Sequence, residues 1–119
     1  MRTKDAVGQY GEQLAAEHLS QQGFAILARN WRCEQGEIDI VAREGRALVV
    51  CEVKTRRGLG YGSPLESVTY RKLSTLRRLV GRWLQEHELH PPEIRIDVIA
   101  VLVPPGGGRP TIEHLRGVG

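Results

Sequence analysis

Two apolar segments on either side of Glu44-Gly45 constrain the fold of this chain more than any other feature. Residues 38–42 and 47–53 are rich in Val, Ile, Leu and Ala. A two-residue turn signal containing glycine between such segments is typical of a β-hairpin. The second segment is apolar on both faces until Glu52, which predicts a central strand covered from both sides.

The hairpin gathers charged side chains at its open end. If Glu44-Gly45 is the turn, Glu37 lies opposite Glu52 and Asp39 lies opposite Val50. Side chains alternate along a strand. Four charged residues therefore share one face, far from the turn: Glu37, Asp39, Glu52 and Lys54. A slip of one residue would divide this set between the two faces, so the prediction depends on the strand register.

Three carboxylates beside one ammonium group are costly at the end of apolar strands unless they are paired or bind a metal ion. Opposed like charges also repel. A divalent cation would remove both penalties, and Mg²⁺ takes oxygen ligands from one or two carboxylates, water and substrate phosphate. The alternative is a network of salt bridges in which Lys54 neutralises Glu52 or Asp39.

A helix is predicted over residues 5–22, with Gly23 as its C′ residue. Its buried stripe includes one carboxylate, Glu12, among small and apolar residues. Glu12 either lies at the edge of the stripe and reaches water, or faces the sheet. Gly8 and Gly11 lower helix stability, so we expect them to permit close packing on the sheet.

The remaining elements complete an α/β pattern. A strand over 24–31 precedes the hairpin, with Phe24, Ile26 and Ala28 on one face, and a basic glycine-rich loop over 55–63 follows it. Ser63 to Glu66 fits a capping box that opens a short helical turn, and a long helix covers 69–87. A strand over 95–103 is expected to run parallel to the second hairpin strand, with a short edge strand at 111–115. The predicted fold is one domain over residues 1–119, of order αβββαβ with a final short strand, and a mixed central sheet flanked by helices.

Positive charge is concentrated after the hairpin. Residues 54–82 contain eight basic residues and one acidic residue, a net charge of +7 in a chain whose total is +3. One basic face is therefore expected, and its partners would be phosphates. The candidate contact residues are Arg56, Arg57, Arg71, Lys72 and Arg78. Tyr61 in the loop either stacks on a base or belongs to an ordinary flexible loop.

The cellular setting follows from simpler features. No apolar run is long enough to span a membrane, and the N-terminus lacks the core of a signal peptide. Cys33 and Cys51 form no CxxC pair. A disulfide between them stays possible, but a reduced cytoplasmic protein is the simpler interpretation.

The charged motifs as a set resemble those of a known group of proteins. Asp39 followed by Glu52-Val53-Lys54 resembles the D…(D/E)xK signature of the PD-(D/E)xK nuclease superfamily, although Ile38 stands where the signature has proline. The wider pattern, over about residues 8–103, resembles the YraN-like family of uncharacterised bacterial proteins. It consists of Gly11-Glu12, Asn30-Trp31-Arg32, Gly36-Glu37-Ile38-Asp39, Glu52 to Arg56, Lys72 and Arg95 to Val98. That family is similar in turn to archaeal Holliday-junction resolvases.

This resemblance implies a restriction-endonuclease-like fold and a role for each residue of the motif. Asp39, Glu52 and the backbone carbonyl of Val53 would bind Mg²⁺ or Mn²⁺. Lys54 would orient or deprotonate the attacking water, and Glu12 would assist the metal site. Glu37 would lie behind the ligands or act as an outer ligand. The resemblance to the resolvases also implies a homodimer.

Three functions are compatible with the sequence. The first is a metal-dependent nuclease that hydrolyses DNA, with branched DNA or recombination intermediates as candidate substrates, because no set of base-reading residues stands out. The second is a non-catalytic nucleic-acid-binding module with the same fold, and Asp39 and Glu52 distinguish it from the first. The third is a structural or partner-binding protein in which the acidic cluster is only a salt-bridge network.

Overall fold

The computed structural model describes residues 5–58 and 64–119. It contains two long helices, α1 (Ala6–Gln21) and α2 (Tyr70–His87), and a 3₁₀ turn at Pro64–Ser67. The five strands are β1 (Ala25–Cys33), β2 (Gly36–Glu44), β3 (Ala47–Arg57), β4 (Glu93–Val103) and β5 (Thr111–Leu115). The predicted order of helices and strands is confirmed. Tyr61 and Ser63, to which the sequence assigned a stacking and a capping role, lie outside the described residues.

One mixed sheet joins the strands in the order β1-β2-β3-β4-β5. β3 and β4 run parallel, as predicted for strands connected through a helix, and the other three pairs are antiparallel. β3 lies in the middle of the sheet, and its first six residues, Ala47 to Glu52, are all buried. No described helix is long and apolar enough to cross a lipid bilayer.

Each face of the sheet is covered by one helix. α1 packs Ala15, Ala16 and Leu19 against alternate residues of β3, including Val49 and Cys51. On the opposite face, α2 packs an apolar stripe against the intervening β3 residues Leu48 and Val50; its buried members are Leu76, Leu79, Val80 and Trp83. The side chains of Glu52 and Lys54 continue the second series, so they belong to the α2 face.

The hairpin register differs from the predicted one by two residues. Glu44 pairs with Ala47 and Ile40 with Cys51, so the turn residues are Gly45 and Arg46 rather than Glu44 and Gly45. Gly45 has a φ of 60°, which suits a two-residue turn that carries glycine first. A shift of two residues leaves every side chain on its predicted face. The residues that face each other across the hairpin do change. If the observed pairing is continued one residue beyond Ile40 and Cys51, Asp39 lies opposite Glu52 rather than opposite Val50.

β1 contains a β-bulge that the sequence pattern did not reveal. Ile26 pairs with Ala42, but Ala28 pairs with Val41, so one extra residue lies between them. The bulge reverses the alternation. Phe24 and Ile26 therefore pack on the α1 side, whereas Ala28 packs on the α2 side. The prediction that Phe24, Ile26 and Ala28 share one face is wrong for this reason.

β3 is also longer than predicted. The sequence placed Thr55, Arg56 and Arg57 in a glycine-rich loop, but all three belong to the strand. Their backbone is held by β4, because the parallel ladder continues to Arg57 opposite Val103. Arg56 therefore lies on the same face of the sheet as Glu52 and Lys54.

A network of ion pairs and hydrogen bonds around the buried Asp97 connects residues 114–117 to the rest of the sheet. Asp97 is fully buried and accepts hydrogen bonds from Arg95 Nε (2.9 Å), His114 Nε2 (2.8 Å) and the backbone N–H of Gly117 (3.0 Å). Glu44 accepts from Arg95 and from Arg116 at 2.8 and 2.7 Å. We call this set the Asp97 network. It connects the hairpin turn, β4, β5 and the chain end.

Candidate functional site

β2 and β3 separate at the open end of the hairpin, and the candidate site begins there. Their last backbone pair is Ile40 with Cys51. Beyond it, Asp39 Oδ2 accepts a hydrogen bond from the backbone N–H of Val53 at 2.9 Å. Within one strand residue the N–H and C=O groups point to the same edge. The Val53 carbonyl therefore also points toward β2, the direction that the predicted third ligand requires.

A cleft of about 330 Å³ opens between this end of the sheet and the first turns of α2. We call it the carboxylate cleft. It brings together three of the predicted acidic residues with two predicted basic ones; its lining residues are Gly36, Glu37, Asp39, Glu52, Thr69, Arg71, Lys72, Thr75, Leu76 and Leu79. Asp39 and Glu52 are each only 6% exposed. Two buried carboxylates thus lie side by side at the base of the cleft.

Two lysines pair with one of these carboxylates. Lys72 Nζ lies 3.0 Å from Glu52 Oε1, and Lys54 Nζ lies 3.6 Å from the same oxygen. Lys54 comes from β3 itself, whereas Lys72 reaches across from the first turn of α2. The sequence predicted Lys72 only as a phosphate contact, so its pairing with Glu52 is a new finding.

The pKa values of these groups reflect burial and mutual charge. Burial raises the pKa of Glu52, the nearby Asp39 charge raises it further, and Lys72 and Lys54 act against this rise. Burial lowers the pKa of Lys54, although Glu52 opposes the effect. Burial also disfavours charge on Lys72, but its contacts with Glu52 outweigh this, so the pKa of Lys72 is raised. Lys54 is therefore the lysine that releases a proton more readily, and Lys72 stays charged.

Glu37 lies at the rim of the cleft, paired with a residue that sequence reasoning had not considered as a partner. Arg32 Nε lies 3.0 Å from Glu37 Oε2. Arg32 belongs to β1 and faces Glu37 in the ladder between β1 and β2. An ion pair across a strand ladder is an ordinary stabilising contact, and the role of Glu37 behind Asp39 and Glu52 stays a prediction.

Glu12 is buried but does not line the carboxylate cleft. It is 4% exposed, which contradicts the alternative that it reaches water at the edge of the helix. Its stripe on α1 packs on the face of the sheet opposite to Glu52 and Lys54. The residue before it, Gly11, meets Thr55 so closely that a Cβ atom would lie 1.9 Å from the Thr55 hydroxyl oxygen. Close packing at Gly11 is thus confirmed, and the catalytic role of Glu12 stays a prediction.

Four of the five predicted basic residues divide into two groups, and the fifth, Arg56, lies half-buried on β3, on the same face as Glu52 and Lys54. Arg71 and Lys72 line the carboxylate cleft. Arg57 and Arg78 are exposed outside it, and Arg78 donates a hydrogen bond to Thr75 at 3.4 Å. Arg82, which contributes to the positive charge of the window, pairs with Glu34 and Glu86. The positive charge available for phosphate is therefore greatest at the start of α2.

Sequence reasoning missed Thr69 and Thr75, whose side chains also line the cleft. Thr69 is the N-cap of α2 and accepts from the backbone N–H of Lys72 at 3.1 Å. This cap sets the first turn that directs Lys72 toward Glu52. The spacing of Lys72 and Thr75, three residues apart on a helix, was a signal that could have placed both on one stripe.

The residues of the cleft suit a hard divalent cation. Carboxylate and carbonyl oxygens are the ligands that Mg²⁺ prefers, and Mg²⁺ ordinarily uses one or two carboxylates and completes its shell with water and phosphate. The described residues hold no group of three or more His, Cys, Asp and Glu side chains placed to bind a metal. Asp39, Glu52 and the Val53 carbonyl are the groups that could hold such a cation, with water and phosphate completing its shell.

The fold and this cleft define a small mixed α/β protein with two buried carboxylates and two lysines at one end of its central sheet. Residues 11–101 match the model of the uncharacterised protein family UPF0102. The chain belongs to this family, which is the YraN-like family that the sequence motifs indicated.

Similar proteins occur in several bacteria. UPF0102 proteins of Kineococcus radiotolerans and of Arthrobacter sp. (strain FB24) are each 56% identical over 119 residues; these matches cover 99% and 100% of this chain and 97% and 100% of the relatives. Among solved structures, a chain of the EndoMS-dsDNA2 complex matches with a TM-score of 0.43 and 20% identity. That match covers 90% of this chain and 41% of the other chain.

Proposed function

We propose that this protein is a metal-dependent nuclease that hydrolyses DNA phosphodiester bonds in the carboxylate cleft. The observation that carries the proposal is the burial of Asp39 and Glu52, each 6% exposed, at the open end of one hairpin with Lys54 beside them. Two neighbouring buried carboxylates are costly through desolvation and mutual repulsion, and such arrangements are common at functional sites.

Each residue has a definite task in this proposal. Asp39, Glu52 and the Val53 carbonyl hold the cation, and the Val53 N–H fixes the orientation of Asp39 at 2.9 Å. When bound, Mg²⁺ or Mn²⁺ would polarise the phosphodiester and lower the pKa of a bound water. Lys54, whose pKa is lowered by burial, can take a proton from the attacking water or balance charge that develops on phosphate.

The surroundings of the cleft support a phosphate-bearing substrate. Arg71 and Lys72 line it, Arg56 lies on the same face of the sheet, and Arg78 adds exposed positive charge on α2. Such residues position a nucleic-acid backbone and carry no base sequence information. We therefore extend the proposal to DNA that is recognised by its shape, such as branched DNA or a recombination intermediate.

A second candidate is a non-catalytic nucleic-acid-binding module. Lys72 and Lys54 already pair with Glu52 at 3.0 and 3.6 Å, and this observation favours it. In such a module the acidic cluster would be a salt-bridge network that supports the basic face.

Cleavage assays decide between the two candidates. The protein is incubated with supercoiled plasmid, single-stranded DNA and a four-way junction, each with Mg²⁺ or Mn²⁺. The nuclease proposal predicts cleavage that falls about 100-fold or more in Asp39→Asn and Lys54→Met, while binding persists in gel shifts. The exposed carboxyl of Glu113 on β5 offers a control, because Glu113→Gln should cleave normally. Binding without cleavage under either metal would establish the module instead.

A further inference from the structure

The charges at the base of the carboxylate cleft cancel. Asp39 and Glu52 carry two negative charges, and Lys54 and Lys72 carry two positive charges within or beside the same cleft. Lys72 makes the closer contact, 3.0 Å from Glu52 Oε1. A cation that binds Glu52 must therefore compete with an ammonium group that the protein itself supplies.

Lys72 is placed to leave Glu52 without disturbing the fold. Its backbone N–H is fixed by Thr69, the N-cap of α2, but its side chain is 32% exposed, compared with 18% for Lys54. Four rotatable bonds separate the ammonium group from the helix. The same side chain lines the open cleft next to Arg71, where it can meet a phosphate.

Charge balance favours this movement only when nucleic acid is present. A divalent cation added to these balanced charges would leave the cleft with an excess of two positive charges. The phosphates of bound nucleic acid can offset this excess, because each phosphodiester carries one negative charge. A phosphate next to the metal would also give the released ammonium group a new partner. Metal ion and nucleic acid should then increase each other's affinity, and such coupling is reciprocal.

We propose that Lys72 exchanges between Glu52 and a phosphate of bound nucleic acid, and that this exchange couples metal binding to nucleic-acid binding. The inference rests on the proposed function, because it needs a cation at Asp39 and Glu52. It assigns to Lys72 a regulatory role beyond phosphate contact: without nucleic acid, Lys72 holds the metal affinity of the cleft low.

The test measures Mn²⁺ binding by the electron paramagnetic resonance signal of free Mn²⁺, so it does not depend on catalysis. Without DNA, Lys72→Met should bind Mn²⁺ roughly 10- to 100-fold more tightly than the unmodified protein, because one positive charge at the site is removed. Adding a four-way junction with a phosphorothioate backbone, which resists hydrolysis, should tighten Mn²⁺ binding in the unmodified protein and much less in Lys72→Met.

Three variants make the result specific. Arg71→Met removes one positive charge from the same cleft but keeps the ammonium group of Lys72 that pairs with Glu52. Its Mn²⁺ affinity without DNA should therefore change several-fold less than that of Lys72→Met. Lys72→Arg keeps the charge and should resemble the unmodified protein. Glu52→Gln should lose Mn²⁺ binding, which locates the site.

The outcomes distinguish a failure of this inference from a failure of the proposed metal site. Equal Mn²⁺ affinity in Lys72→Met and the unmodified protein, weaker affinity in Lys72→Met, or equal gains in Lys72→Met and Arg71→Met would overturn the inference and leave the metal site standing. No Mn²⁺ binding in any variant, with or without the junction, would overturn the metal site and the inference together.

Discussion

Neutralising Asp97 should remove a defined, pH-dependent part of the stability. Asp97 is fully buried and receives hydrogen bonds from Arg95, His114 and the Gly117 N–H. Burial alone would raise its pKa, but these bonds outweigh burial and lower the pKa from the ordinary 3.8 to about 2. The replacement Asp97→Asn keeps the size of the side chain and removes its charge.

The magnitude follows from the linkage between protonation and folding. A difference between 3.8 and about 2 corresponds to roughly 2 kcal/mol of the free energy of unfolding. Because the pKa is lower in the folded state, this contribution is complete above about pH 5 and is lost progressively as the pH falls toward 2. Asp97→Asn also removes the charge that Arg95 and His114 share, and leaves Glu44 as the charged partner of the half-buried Arg95, so we expect a loss of about 2–4 kcal/mol at pH 7.

The assay is urea unfolding at a series of pH values, followed by the fluorescence of Trp31 and Trp83. The unmodified protein should lose roughly 2 kcal/mol more than Asp97→Asn between pH 5 and pH 2. The replacement Glu113→Gln changes an exposed carboxyl on the neighbouring strand and should keep the unmodified pH profile. Parallel pH profiles for Asp97→Asn and the unmodified protein would refute the assigned role of the Asp97 network.

Three further predictions concern packing, the basic face and the first helix. Gly11→Ala should destabilise the protein by about 1–3 kcal/mol in urea unfolding, because the added methyl group meets β3 at 1.9 Å. Arg71→Ala should weaken DNA binding in gel shifts and reduce its salt dependence, because Arg71 lines the cleft. Glu12→Gln should reduce Mn²⁺ affinity if Glu12 assists the metal, and an unchanged affinity would show that its burial serves the fold alone.

Matched controls exist for the first two of these predictions. Gly81 lies on α2 with nothing within 4 Å of an added Cβ atom, so Gly81→Ala should be neutral or stabilising by up to about 1 kcal/mol. If it destabilises as much as Gly11→Ala, steric contact is not the cause. Arg82 pairs with Glu34 and Glu86 on the exposed side of α2, and Arg82→Ala should change DNA affinity much less than Arg71→Ala.

The sequence predicted the arrangement of helices and strands well, because hydrophobic periodicity records which faces are covered. β3 reads as apolar on both faces, and it lies between two helices in the centre of the sheet. The long helix predicted over 69–87 is α2, and its apolar stripe, which contains Leu76 and Val80, is buried. Patterns of this kind are repeated over many residues, so single irregularities do not hide them.

Local irregularities were harder to predict. The bulge after Ile26 and the exact turn at Gly45 each depend on one backbone conformation, which periodicity does not report. The predicted cluster survived the error in register because a shift of two residues preserves the face of each side chain. An error of one residue would have separated Asp39 from Glu52.

Contacts between distant segments were the least predictable part of the site. The pairing of Lys72 with Glu52 joins α2 to β3. Nothing in the local sequence fixes how far a lysine reaches or which carboxylate it meets. The burial of Glu12 depended in the same way on how closely α1 approaches the sheet.

The central claim is that Asp39 and Glu52 hold a divalent cation, and one crystallographic measurement tests it most directly. Crystals grown with Mn²⁺ and a four-way junction with a phosphorothioate backbone would be measured for anomalous scattering. We expect an anomalous peak within bonding distance of both carboxylates and the Val53 carbonyl, with Lys72 moved from Glu52 to a phosphate. Bound DNA with no peak at these oxygens, and with Lys72 and Lys54 still paired to Glu52, would contradict it.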